Sequence, residues 1–79
     1  MVQTAIAYIR KGSLHRHGQR FNVFDENNRQ IVFDSSDPET EVLKYFKDRD
    51  FNGYVCTKWH GAPHASMVHY IGWKNGKRS

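Results

Sequence analysis

The chain alternates in short bursts, and its bursts have two periods. From Val2 to Lys11 the residues Thr4, Ile6 and Tyr8 alternate with Ala5, Ala7 and Ile9, so both faces are partly apolar, as a central strand requires. Gly12 to Gly18 then reads as a break. Arg20 to Asp25 sets Phe21 and Val23 against Phe24, Glu26-Asn27-Asn28-Arg29 supplies turn chemistry, and Gln30 to Asp34 aligns Ile31 with Phe33. These two strands predict a hairpin.

The period changes after Ser35-Ser36-Asp37-Pro38. Proline suits the first helical position and disfavours a helical residue before it, so the helix is expected from about Pro38 to Arg49 with Asp37 as N-cap. Glu39 and Glu41 complement the positive end of its dipole, and Lys44, Lys47 and Arg49 the negative end. Val42, Leu43 and Phe46 form its apolar stripe. Asn52-Gly53 follows. Tyr54 to His60 and Met67 to Trp73 read as two more strands joined by Gly61-Ala62-Pro63-His64-Ala65-Ser66. A symmetric loop pairs Trp59 with Val68 and Thr57 with Tyr70 on the core face. The other face then carries Tyr54, Cys56, Lys58, His60, Met67, His69, Ile71 and Trp73.

The expected architecture is therefore a small single α+β domain over residues 1–73, an antiparallel sheet of about five strands in the order βββαββ packed by one helix, with 74–79 as a flexible basic tail. The expected core is Ile6, Val23, Ile31, Phe33, Val42, Leu43, Phe46, Val55, Trp59 and Val68. Seventy-nine residues support one small core, and although only 38% of the chain is hydrophobic, its eleven aromatics can each bury a large area. Cys56 is the single cysteine, which rules out an internal disulfide and agrees with a reducing compartment. The longest apolar run, Ala5 to Ile9, is too short for a signal core or a membrane span, so a cytoplasmic protein with no membrane partner is expected.

Charge changes the picture more than composition does. All eight acids lie between Asp25 and Asp50, where the net charge is −4; residues 1–24 and 51–79 each carry +4 and no acid. All five histidines fall outside the acidic window as well, so mild acid would deepen the asymmetry. Should the two acid-free flanks meet in the fold, they would form one basic surface able to steer an anionic partner.

The candidate chemistry narrows by elimination. Cys56, His60 and His64 are spaced C-x3-H-x3-H, but a structural zinc site shows paired ligands at tight turns, and no metal or other cofactor is expected. Nucleophilic catalysis by Cys56 lacks an acid to orient its base. Lys58, His60 and His69 on one sheet face would suit a metal-independent ribonuclease, since two imidazoles and a cation can exchange protons across a phosphate. That reading ranks third. No G-x-G-x-x-G, Walker A, G-x-S-x-G or H-E-x-x-H pattern is present, and no catalytic residue is assigned.

Direct binding of RNA or single-stranded DNA ranks second: clustered Lys and Arg would meet phosphates, and Tyr8, Tyr54, Trp59 or Trp73 could stack on bases. An RRM signature, a KH-type G-x-x-G, a zinc knuckle and a helix-turn-helix pair are all missing. The leading expectation is a non-catalytic binding protein, in size and style like the compact regulators and inhibitors that phages encode. It would dock on a larger protein, a ribonucleoprotein or another nucleic-acid-handling complex. The expected partner-binding residues are Arg10, Lys11, His15, Arg16, His17, Arg20, Tyr54, Lys58 and Trp73.

Overall fold

In the computed structural model, residues 2–74, 77 and 78 are described, with no account of the side chains of Pro63, Trp73, Lys74, Lys77 and Arg78. Among these residues seven strands and one helix follow in the order β1 (Gln3–His15), β2 (Gly18–Phe24), β3 (Gln30–Ser35), α1 (Pro38–Lys47), β4 (Gly53–Trp59), β5 (Ala62–Ile71), β6 (Trp73–Lys74) and β7 (Lys77–Arg78). The first five strands form one sheet in spatial order β3-β2-β1-β4-β5, with α1 against one face; β6 and β7 pair separately. The expected βββαββ arrangement of five strands and one helix is therefore present. Three ladders are antiparallel, as expected, and the fourth, β1 with β4, is parallel. The helix is the reason: it returns the chain across the sheet, so β4 enters in the direction of β1.

β1 is central and long. Thirteen residues at about 3.3 Å each span roughly 43 Å, which matches the 43 Å long axis of a molecule only 22 and 21 Å across in the other directions. The expected break at Gly12 is absent. β1 continues through a register shift between Lys11 and Leu14 to His15, and turns over Arg16 and His17 into Gly18, whose φ of 132° suits glycine. The Gln19 amide donates to the Gly12 and Ser13 carbonyls across this irregular stretch.

Ala5, Ala7, Ile9, Val23, Val32, Val42, Phe51, Val55 and Ile71 form the core, with Phe21, Ile31, Leu43, Phe46 and Trp59 packed half-buried against it. Three expected core residues are not in it. Ile6 is half-buried on the opposite side of β1, because the small Ala5 and Ala7 are the residues that lie under the helix. Phe33 is exposed, because Asp34 has φ 49° and resets the alternation of β3, so that Val32 and Ser35 are the inward pair. Val68 is exposed because the β4–β5 hairpin closes sooner than expected.

That hairpin turns at His60 and Gly61, with Gly61 at φ 83°, and the expected loop 61–66 is instead largely strand. Pro63 is tolerated because β5 is an edge strand. Val55 pairs with His69 and Thr57 with Met67, a three-residue slip from the symmetric-loop register. An odd slip exchanges the two faces of a strand. His69 and Ile71 consequently face the helix, while Val68 and Tyr70 face away.

The helix starts at Pro38 as expected and stops at Lys47, short of Arg49, with Asp48 as C-cap. Asp37 occupies the N-cap position but its carboxylate makes no capping bond; its backbone N–H instead donates to Ser35 Oγ at 3.0 Å. Glu39 does more than balance the dipole. Its Oε2 accepts from Trp59 Nε1 at 2.8 Å and its Oε1 lies 3.7 Å from His69 Nε2, tying the first helical turn to β4 and β5.

Candidate functional site

The face of the sheet away from α1 carries the side chains left over once the core is assigned. Register places Tyr8 beside Phe24 on one side and Lys58 on the other, Ile6 beside Cys56 and then Val68, and Thr4 beside Tyr54 and then Tyr70. Opposed residues share a face, so these are three transverse rows of one surface. Tyr8, Tyr54, Val68 and Tyr70 are 40%, 45%, 66% and 60% exposed, whereas Val55 and Ala7 on the reverse side are fully buried.

Aromatic geometry and cations accompany one another here. The Tyr54 and Tyr70 rings lie 5.1 Å apart at 51°, and the Arg10 guanidinium sits 5.5 Å above the centre of the Phe24 ring. Among the described residues neither Arg10 nor Lys58 has a carboxylate partner. The sheet explains why. No Asp or Glu occurs in β1, β2, β4 or β5, and the parallel β1–β4 ladder joins the two acid-free flanks edge to edge. Asp25, at the nearest turn, is turned inward: its Oδ1 accepts from the Asn27 and Arg29 backbone N–H groups.

A cleft of about 490 Å³ opens on this surface, lined by Tyr8, Arg10, Phe24, Lys58 and His60 with Asn28, Trp59, Gly61 and Ser66. Its floor is strand, and its walls are the β2–β3 and β4–β5 turns. Asn28, at φ 64°, supplies one wall and the His60-Gly61 turn the other.

The residues expected to bind a partner do not all meet. Arg10, Tyr54 and Lys58 share the helix-free face. Lys11 pairs with Phe21 and therefore points to the helix side, where it lines a groove with Ile9, Phe21 and Trp59. His15, Arg16, His17 and Arg20 gather at the far end of the β1–β2 hairpin. There His15 Nε2 lies 3.4 Å from Asp34 Oδ1, and Arg20 Nη1 donates to the Asp34 carbonyl at 3.2 Å. Trp73 lies in β6, and its side chain falls outside the described residues' side chains, as does that of Lys74. Residues 75, 76 and 79 of the expected tail lie outside the described residues altogether.

Phe24, Tyr70 and the Asn28 turn join the surface although the sequence pattern does not single them out. Tyr70 is hidden by the slipped register, and Phe24 is detectable only as the lone ring opposite Phe21 and Val23. The Lys58–His60–His69 set does not assemble: Lys58 faces away from the helix, His60 sits in the turn, and His69 lies on the helix side near Glu39, with Thr57 Oγ1 at 3.5 Å. Among the described residues no three His, Cys, Asp or Glu side chains are close enough together to hold a metal ion, and no helix is long and apolar enough to cross a membrane. No family model, curated protein or solved structure matches this chain.

Proposed function

We propose that this protein is a non-catalytic binding protein whose helix-free sheet face takes single-stranded nucleic acid. The observation that carries the reading is the coincidence, on one acid-poor surface, of exposed rings and cations without carboxylate partners among the described residues: Tyr8, Tyr54 and Tyr70 with Arg10 and Lys58. A single strand presents flat bases and regularly spaced negative charge, and rings and cations answer those two features separately. Neighbouring strands lie about 4.8 Å apart, so rings on β4 and β5 can meet bases along one path. The basic hairpin end with Arg16 and Arg20 would add phosphate contacts beyond the rings.

The test is fluorescence anisotropy with labelled RNA and DNA single strands and a matched duplex, over a series of salt concentrations. Binding should favour single strands, and its logarithm should fall with log salt by about 0.7 per phosphate neutralised. No binding at low salt sinks the proposal.

One observation favours docking on a protein instead. Val68 is a branched aliphatic, 66% exposed beside the Tyr54–Tyr70 pair and on an edge strand, and it offers a base no stacking plane. A protein that co-purifies from the native host after nuclease treatment, and is lost on Val68→Asp, would establish that second reading.

A further inference from the structure

Deepening the nucleic-acid reading, and resting on it, we propose that the cleft between the β2–β3 and β4–β5 turns is a mononucleotide subsite. One base stacks on Tyr8, and Arg10 and Lys58 neutralise its phosphate. Its volume of about 490 Å³ falls within the range of small-molecule sites, and it is walled at both ends by turns, unlike the flat row formed by Tyr54 and Tyr70. Tyr8 is 40% exposed at its floor, with its row continued by Phe24 and Lys58. The Arg10 guanidinium lies over the Phe24 ring, 5.5 Å from its centre, and among the described residues it has no carboxylate partner, so its N–H groups are available to phosphate oxygens.

The remaining wall groups suit a nucleoside. Asn28 carries an amide with donor and acceptor together, which is what a base edge requires. His60 adds an exposed imidazole beside the mouth. Among the described residues no carboxylate lines the cleft to repel a phosphate. The chemistry recognised is therefore a base joined to a phosphate, rather than either alone.

The full chain, labelled with nitrogen-15, is titrated with 5′-AMP, ribose 5-phosphate and inorganic phosphate. AMP should shift the amide signals of Tyr8, Arg10, Lys58 and His60 with a dissociation constant in the order of 1 mM, and the two base-free phosphates should bind at least about 10-fold more weakly. Tyr8→Ala and Lys58→Glu should each weaken AMP about 10-fold, while Lys44→Ala, an exposed cation on the helix, leaves it unchanged. The subsite is overturned if those four signals stay still at about 10 mM AMP, or if inorganic phosphate matches AMP, or if both Tyr8→Ala and Lys58→Glu bind AMP as the parent does. Oligonucleotides that bind without any AMP response remove the subsite and leave the strand reading standing. AMP bound in the cleft without oligonucleotide binding overturns the strand reading alone.

Discussion

The two faces of the sheet are built from the same strands, yet one is closed and the other open. Under α1 lie Ala5, Ala7, Ile9, Val55 and Ile71, all aliphatic and all buried, with the fully buried polar Thr57 among them. On the reverse lie Tyr8, Tyr54, Tyr70, Val68, Arg10 and Lys58. Aromatic residues are the usual way for a chain this short to gain buried area. Here three of the four tyrosines stand at 40% exposure or more, while the inner layer is made mainly of smaller aliphatic groups. Stability is thus concentrated in one face, and the rings of Tyr8, Tyr54 and Tyr70 on the other stay exposed.

Substitutions separate the faces. Ile71→Ala and Ile9→Ala should have the largest effect, each destabilising the fold by about 2–5 kcal/mol through the cavity left under the helix, read as a fall in thermal midpoint. Gly53→Ala comes next. A Cβ at this position would overlap the backbone of Gln3, so the first pair of the parallel ladder must move apart, at a cost of about 2 kcal/mol or more by denaturant titration. Tyr70→Ala and Tyr54→Ala should instead weaken single-strand binding by about 1–3 kcal/mol each with little change in midpoint; an equal loss of stability would erase the distinction between the faces.

Trp59→Phe should cost about 1 kcal/mol of stability, because the ring keeps its edge contact with Phe21, 5.0 Å away, but no longer donates to Glu39. Smallest is Arg16→Ser at the hairpin end. It should lower the salt dependence of binding by about one phosphate contact or less and leave the midpoint unchanged. A collapse of binding on that substitution alone would move the working surface away from the rings.

Much of this division is legible in the order of residues alone. Ser35-Ser36-Asp37-Pro38 marks the helix start, Glu26 to Arg29 the turn, and Val2 to Lys11 the central strand, because each rests on local backbone chemistry. Tyr54 and Lys58 share a face for the same reason: strand alternation needs no knowledge of the partner. What depends on a partner is not legible. Two-residue and six-residue turns are both compatible with the sequence after His60, and only the left-handed Gly61 and the resulting register place Tyr70 outside and His69 inside. Asp34 likewise adopts a conformation that its residue type permits but does not demand, and Phe33 leaves the core as a result. In β1 both faces carry apolar residues, so the choice of Ala5 and Ala7 over Ile6 belongs to the helix that covers them.

The parallel ladder also orders events in time. Every β1–β4 partner pair is 50 residues apart in sequence, whereas β1, β2 and β3 are joined by short turns. During synthesis the first three strands can meet as soon as they emerge, but the free edge of β1 waits for Gly53–Trp59. Until then it offers unpaired backbone groups along the very strand that ends up at the centre. Refolding should accordingly be limited by that long-range closure rather than by hairpin formation. The interval in which β1 is bare is the interval in which this chain is most exposed to self-association.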